Sequence, residues 1–198
     1  MKDRITTVVG FTRCGTSLMM RLLDAHGIEA FCEERASFEA PNSVHRLPVY
    51  WQWLKNLEGK CVKILEPQRW TPPPGLPYDF IWMQRDPYQQ ACSQLKFLKM
   101  AAGFSIRDDE DTRSRMAMGI MSDTPVVKQL LRNYDKARFH QVHFEELIST
   151  PMPVMEKVFE FVGVPMDADK VKSIIIPRNT DNYDGFLEPE LKRAAETV

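Results

Sequence analysis

The sequence predicts a three-layer α/β/α fold with a mostly parallel central sheet, of the P-loop nucleotide-binding type. Two observations support this prediction. A buried strand, a loop bounded by glycines and an amphipathic helix follow one another within residues 5–26. After them, strand-like and helix-like segments alternate along the chain, which is typical of βαβ units. In such sheets ligands bind beyond the carboxyl ends of the strands, so we expect the functional site there.

Each element follows from the local residue pattern. Apolar and β-branched runs predict strands at 5–9, 60–65 and 79–84, and alternating residues predict a fourth strand at 138–144. Periodic apolar residues and helix-start or helix-stop signals predict helices at 18–26, 47–57, 87–101, within 103–122, 123–136, 153–162, 167–175 and 188–196. Pro125 is placed in the first turn of its own helix, where proline is favoured. The methionine-rich segment before it is a candidate lid.

The loop between the first strand and helix has the build of a phosphate cradle. Gly10-x4-Gly15-Thr16-Ser17 nearly matches the nucleotide P-loop, Gly-x4-Gly-Lys-Ser/Thr. In such a loop, backbone N–H groups and the positive end of the helix converge on one anion. Thr16 stands where the P-loop has the lysine that reaches the β- and γ-phosphates beside Mg²⁺, so a donor with fewer phosphates, assisted by Arg13, fits better than ATP or GTP. A glycine-rich turn that binds nothing is the alternative.

The composition is that of an ordinary globular domain. The chain has 198 residues and a net charge of −1, with 43% hydrophobic and 27% charged residues. These values predict a single domain over residues 1–198 and argue against a general nucleic-acid binder. No apolar run approaches the roughly 20 residues of a membrane helix, and the early first strand leaves no room for a signal peptide. We therefore expect a cytoplasmic protein whose four widely spaced cysteines are reduced, although loop dipoles could lower the pKa of Cys14.

A second candidate anion site follows the third predicted strand. The segment Arg85-Asp-Pro-x5-Ser93 places an arginine at a strand end and a hydroxyl two turns into the next helix. A planar guanidinium and a hydroxyl can together hold a second phosphate group. The alternative is that Arg85 pairs with a carboxylate such as Asp86, and that Ser93 is an ordinary helix residue.

Three segments, in order, resemble the sulfotransferases that use 3′-phosphoadenosine 5′-phosphosulfate (PAPS). Thr12-Arg-Cys-Gly-Thr-Ser-Leu18 resembles the 5′-phosphosulfate loop of that family, and Arg85-Asp-Pro-x5-Ser93 resembles its 3′-phosphate motif. Phe144-Glu-Glu-Leu-x3-Pro151 and Phe161-Val-Gly-Val-Pro165 are similar to the family's Tyr-Glu-Asp-Leu segment and Phe-Leu-Gly-Val-Pro ending. The resemblance implies metal-independent, in-line transfer of the sulfuryl group to a hydroxyl or amine. The other product is then 3′,5′-diphosphoadenosine (PAP).

The resemblance also implies the contacts of the donor. The N–H groups of Cys14–Ser17 would hold the 5′-phosphate, and Arg13 would neutralise the charge that builds on the bridging oxygen as the sulfuryl group leaves. Arg85 and Ser93 would hold the 3′-phosphate. Two further candidate donor contacts are Phe144, where the family often has a tyrosine beside the adenine, and Arg178 in the C-terminal segment.

A general base should take the proton of the acceptor. Where the cytosolic branch of the family has a histidine, this chain has Lys63-Ile-Leu-Glu66. Lys63 matches a family lysine and would contact the sulfuryl oxygens, and Glu66 is a candidate base. Glu39 resembles a Phe-Glu glutamate of the carbohydrate-modifying and bacterial branches and is slightly preferred. His45 is a further candidate, and a solvated surface carboxylate is the alternative for either glutamate.

The acceptor cannot be chosen from the sequence, and a sugar, a lipid or a small-metabolite hydroxyl all stay open. Candidate walls of an acceptor pocket, or equally core residues, are Trp51, Trp53, Trp70 and the methionine-rich 100–121 segment. Two other functions also stay open. One is a P-loop kinase-like phosphotransferase, which the missing lysine disfavours, and the other is a non-catalytic nucleotide-binding module.

Overall fold

The computed structural model describes residues 3–32, 38, 54–69, 71–100 and 105–175. Within these ranges, four parallel strands form a sheet in the order β2-β1-β3-β4. The strands are β1 (Ile5–Gly10), β2 (Cys61–Leu65), β3 (Tyr78–Gln84) and β4 (Arg138–His143). The helices are α1 (Thr16–Ala25), α2 (Pro87–Met100), α3 (Glu110–Arg132), α4 (Phe144–Ser149), α5 (Pro151–Val162) and α6 (Ala168–Ile174). The predicted α/β fold with a mostly parallel sheet is confirmed.

Apolar residues cover both faces of the sheet. All six residues of β1 are buried, as expected for a strand with helices on both sides. On one face, Val8 and Ile81 share a core with residues of α1, α5 and α6. On the other face, Val9 and Trp82 share a core with residues of α3. The alternation of side chains along each strand therefore produces the predicted three layers.

A buried carboxylate joins three strands at the amino edge of the sheet. Asp79, near the start of β3, is only 3% exposed. Its Oδ1 accepts hydrogen bonds from Arg4 Nε at 2.6 Å and from Arg138 Nε at 2.7 Å. Arg4 also donates to the carbonyls of Tyr78 and Lys136. Because Arg4 precedes β1 and Arg138 begins β4, these bonds fix the starts of three strands.

The prediction of two helices at 103–122 and 123–136 is wrong, because α3 is continuous and contains Pro125. Its N-terminus is capped by Asp109, whose carboxylate accepts from Thr112 N at 2.9 Å. A proline inside a helix costs about 3 kcal/mol. Ile120 before the proline and Val127 and Leu131 after it pack on the same core, which offsets that cost. The candidate lid is thus the first half of a helix anchored in the core.

One further difference is an additional helix, and two of the predicted helices lie largely or wholly outside the described residues. Helix α4 was not predicted, and it begins at Phe144, which the strand prediction had included in β4. The predicted helix at 47–57 lies largely outside the described residues, and residues 54–56 form a single 3₁₀ turn. The predicted helix at 188–196 lies wholly outside them.

Candidate donor-binding site

The β1–α1 loop lies at the carboxyl end of β1 and leads directly into the N-terminus of α1. Gly15 caps that helix with φ 98° and ψ 13°, and Arg13 two residues earlier has φ 70°. Left-handed residues within a short loop turn successive N–H groups to one side, which forms an anion-binding concavity. The positive end of the α1 dipole adds to the attraction for an anion. This geometry fits the predicted phosphate cradle.

Carbonyl groups of the loop accept hydrogen bonds from the surrounding protein. The carbonyl of Gly10 accepts from Glu66 N at 3.0 Å, and the carbonyl of Thr12 accepts from Gln90 Nε2 at 2.8 Å. A carbonyl that faced a bound anion would repel it. Because these carbonyls point to protein donors, the loop can present N–H groups to an anion.

The structure brings Arg13, Ser93 and Arg85 together. Arg13 Nε donates to Ser93 Oγ at 3.3 Å, and Arg85 Nη1 donates to the Arg13 carbonyl at 3.1 Å. The Arg13 guanidinium lies 5.4 Å from the ring centroid of Phe97 on α2. Asp86 caps α2, since its Oδ1 accepts from Gln89 N at 2.8 Å. The two anion motifs predicted from the sequence therefore form one continuous cationic site.

Phe144 lies where this site meets the third motif. The Arg85 guanidinium carbon is 4.8 Å from the centroid of the Phe144 ring. The same ring lies against Gly15, where an added Cβ would be 2.4 Å from Phe144 Cδ2. Phe144 thus lies at the candidate donor site, and its predicted place beside the adenine stays a prediction.

Lys63 and Glu66 reach the loop from the end of β2. Lys63 is 3% exposed, and its Nζ donates to Ser17 Oγ at 3.2 Å. Glu66 Oε1 accepts from both the backbone N and the Oγ1 of Thr12, each at 3.1 Å. Its Oε2 accepts from Gln68 Nε2 at 2.9 Å. The lysine and the glutamate are therefore bonded to opposite ends of the cradle.

Cys14 is a buried thiol. It is 1% exposed, and a Cβ added at Gly10 would lie 2.5 Å from its Sγ. Burial raises the pKa of Cys14 to about 12, although the backbone N–H groups of Thr16 and Cys14 favour the thiolate. The loop N–H groups therefore act in the predicted direction, but the net pKa is raised, because the desolvation of the thiolate exceeds their effect. All four cysteines are thiols.

Sequence reasoning missed Gln90. This side chain is 1% exposed and donates to the loop carbonyl of Thr12. It lies three residues before Ser93 on α2, so helical spacing places both on the face that meets the loop. This three-residue spacing is the sequence signal from which the role of Gln90 could have been predicted. The predicted Glu39 and Arg178, together with His45, Trp51, Trp53 and Trp70, lie outside the described residues.

The described part of the chain offers neither a membrane-spanning helix nor a cluster of metal ligands. None of its helices is long and apolar enough to span a membrane. No group of three or more histidine, cysteine or carboxylate side chains in these ranges is arranged to hold a metal ion.

Comparison with known proteins shows what the chain is similar to. Residues 78–168 match the model of the sulfotransferase family. A search of curated protein sequences finds no match. Among the solved structures that share the fold over nearly the whole chain, the three described next are each less than 25% identical in sequence, so the likeness concerns the fold.

Sulfotransferase STF9 from Mycobacterium avium is 15% identical with a TM-score of 0.57, covering 100% of this chain and 77% of its own. Mouse sulfotransferase SULT7A1, complexed with PAP, is 10% identical with a TM-score of 0.60. The match covers 100% of this chain and 83% of the mouse chain. The sulfotransferase domain of the Synechococcus PCC 7002 olefin synthase is 14% identical with a TM-score of 0.51, covering 98% and 94%. The predicted resemblance is therefore confirmed: residues 78–168 match the sulfotransferase family, and the chain has the sulfotransferase fold.

Proposed function

We propose that the protein transfers the sulfuryl group of PAPS directly to a hydroxyl or amine of an acceptor. The observation that carries this proposal is the contact of Arg13 with Ser93, 3.3 Å apart, beside Arg85. This contact joins the β1–α1 loop, which resembles a P-loop but has Thr16 where the P-loop has its lysine, to the second cationic group at Arg85. PAPS has a 5′-phosphosulfate group that can bind at the loop and a separate 3′-phosphate that can bind at Arg85. The PAP bound to the mouse structure supports this choice of donor.

We propose the donor contacts that the family resemblance implies, and the geometry of the cradle supports them. The N–H groups of Cys14–Ser17 bind the 5′-phosphate, and Arg85 and Ser93 bind the 3′-phosphate. Arg13 stabilises the charge that develops on the bridging oxygen as the sulfuryl group leaves, which is the largest single effect in many transfer reactions. Lys63, held at Ser17, contacts the sulfuryl oxygens. With these cations in place, we propose that the step uses no metal ion.

The acceptor is proposed to be a small molecule or a carbohydrate that enters beyond the carboxyl ends of the strands. Its proton is taken by a carboxylate, for which Glu39 and Glu66 are the candidates from the sequence. Phe144 and Arg178 are proposed as further contacts of the donor. We also propose that the reaction takes place in the cytoplasm.

Ligand-induced stabilisation tests the donor. We expect PAP to raise the melting temperature of the protein, because a ligand that binds only the folded state stabilises it by mass action. ATP with Mg²⁺ is the comparison. Stabilisation by ATP–Mg²⁺ without stabilisation by PAP would favour the kinase-like phosphotransferase and contradict the proposal.

Turnover separates an enzyme from a non-catalytic module. The protein is incubated with PAPS labelled in the sulfuryl group and with sugar, phenol and lipid-hydroxyl acceptors in turn. We expect PAP and a labelled product to form with one acceptor class. PAP binding without transfer to any acceptor class would favour the non-catalytic module.

A further inference from the structure

Thr12, the residue before Arg13, is held by both of its backbone polar groups and by its hydroxyl. Its backbone N–H and its Oγ1 both donate to Glu66 Oε1 at 3.1 Å. Its carbonyl accepts from Gln90 Nε2 at 2.8 Å. Glu66 follows β2 and Gln90 belongs to α2, so two elements on either side of the loop fix one residue. We use the name Thr12 clamp for Thr12, Glu66 and Gln90.

Glu66 is itself held in an unusual conformation. Its φ of 52° is left-handed, which is uncommon for a residue other than glycine and costs about 1 kcal/mol or more. Its backbone N donates to the Gly10 carbonyl, and its second carboxylate oxygen accepts from Gln68. Such strain persists only where the surrounding contacts determine it, and here they orient the carboxylate toward the loop.

The charge of Glu66 also needs an explanation. A carboxylate beside an anion cradle repels the bound anion, and the repulsion is stronger when the groups are partly buried. That cost is offset if the carboxylate holds the loop in its binding conformation. Arg13, directly after Thr12, has a φ of 70°, so its orientation depends on how its neighbours are held.

We propose that Glu66 and Gln90 are positioning residues: they clamp Thr12 and so hold Arg13 and the loop N–H groups ready for the donor. It follows that Glu66 is not the general base. This inference rests on the proposed sulfuryl transfer for its catalytic readout. The order of the loop can be measured without it.

Glu66→Gln separates the two roles of Glu66. The amide oxygen of glutamine can still accept from Thr12. Its NH₂ can face Gln68, whose amide can turn to offer Oε1, a buried oxygen with no hydrogen-bond partner among the described residues. A positioning role therefore predicts a loss of less than about tenfold in kcat/KM and an unchanged pH profile. Loss of a general base typically lowers the rate by about 10²–10⁴-fold. It also removes the part of the pH–rate profile that reports the ionisation of that base.

Gln90→Leu tests the other half of the Thr12 clamp. Leucine has a similar size but cannot donate, so the part-buried carbonyl of Thr12 loses its hydrogen bond from Gln90. We expect the dissociation constant of PAP to rise by about 5- to 100-fold, as for a buried polar group left unsatisfied. The matched control is Gln129→Leu on the exposed face of α3, for which PAP affinity should stay within about twofold. Thr12→Val, which removes only the hydroxyl bond to Glu66, should give a smaller loss.

Hydrogen exchange gives a readout that does not depend on activity. In Gln90→Leu and in Glu66→Ala, the amides of residues 11–15 should exchange faster than in the wild type, while those of β1 should not. If the wild type fails to bind PAP yet the variants show this faster exchange, the proposed function is wrong and the clamp stands.

Two results would overturn the clamp. One is wild-type exchange and wild-type PAP affinity in Gln90→Leu. The other is a loss of more than about 10²-fold in kcat for Glu66→Gln with unchanged PAP affinity. Should Gln90→Leu fail to fold, Thr12→Val provides the same two measurements.

Discussion

The ring of Phe144 lies directly over Gly15, so close that a Cβ at Gly15 would be 2.4 Å from Phe144 Cδ2. The Arg85 guanidinium approaches the same ring at 4.8 Å. Three motifs that are separated by about 70 and 60 positions in the sequence therefore meet at one ring. The close approach explains why a glycine, with no side chain, is needed at the start of α1.

Gly15→Ala should destabilise the protein by about 2–4 kcal/mol, through the left-handed backbone and the clash with Phe144. Urea unfolding measures this free energy. The matched control is Gly119→Ala in α3, where an added Cβ meets nothing within 4 Å. That variant should be more stable by about 0.5–1 kcal/mol, because alanine is the better helix former. Equal effects at both positions would contradict the role given to Phe144.

Arg13→Ala should lower kcat by at least about 10²-fold, because it removes the cation at the leaving oxygen. Its melting temperature should remain close to that of the wild type. Arg13→Lys is the matched variant, since the resemblance places a lysine at this position in the cytosolic branch, and it should retain measurable turnover. Steady-state kinetics with PAPS measures both. Full turnover in Arg13→Ala would refute its catalytic role.

Arg85→Ala should weaken the binding of PAP by about 10- to 100-fold, through the loss of charge-assisted hydrogen bonds to the 3′-phosphate. Adenosine 5′-phosphosulfate lacks that phosphate and should lose less affinity. Some loss is expected for both ligands, because Arg85 also donates to the Arg13 carbonyl. Calorimetric titration measures both affinities, with Arg115→Ala on the exposed surface of α3 as control. An equal loss of affinity for PAP and for adenosine 5′-phosphosulfate would mean that Arg85 does not bind the 3′-phosphate.

Cys14 should resist alkylation in the folded protein. With a pKa of about 12, only about one thiol in ten thousand is ionised at pH 8. Iodoacetamide should modify the half-buried Cys32 and Cys92 first, and Cys14 only after unfolding in denaturant. Peptide mass spectrometry measures the order of modification, and fast labelling of native Cys14 would contradict it.

The same thiol has a consequence for stability at high pH. Its pKa is raised on folding from an ordinary value of 9.0. The contribution of the neutral Cys14 thiol to the free energy of unfolding is therefore fully present below pH 9. It falls as the pH rises toward 12, because the unfolded chain then releases a proton that the folded chain keeps.

Pro125→Ala should stabilise the protein by about 1–3 kcal/mol, because it restores an N–H donor inside a continuous helix. Urea unfolding again measures the change. The control is the neighbouring Val126→Ala, whose side chain is 67% exposed and should change the stability by less than about 0.5 kcal/mol. A destabilised Pro125→Ala would mean that the proline shapes α3 instead of merely being tolerated in it.

The sequence patterns predicted what depends on local chemistry. The positions of β1, β2 and β3 are predictable because parallel strands buried on both faces are largely apolar, whereas β4, which is only partly buried, is predictable from its alternating residues. The approach of Arg85 to the β1–α1 loop was predicted because the carboxyl ends of parallel strands share one edge of the sheet. The continuity of α3 could not be predicted, because packing of Val127 and Leu131 overrides the local effect of Pro125. The bonds of Glu66 to Thr12, 54 positions apart, depend on tertiary geometry that no local pattern encodes.

Asp79 and the donor site lie at opposite ends of the same strands. The bonds of Asp79 to Arg4 and Arg138 hold the amino edge, whereas the loop, Arg85 and Phe144 lie at the carboxyl edge. Substitutions at the amino edge can therefore change the stability of the scaffold without contacting the groups of the candidate donor site. For engineering, this separation means that the melting temperature can be changed at the amino edge and the ligand specificity at the carboxyl edge, each by its own substitutions.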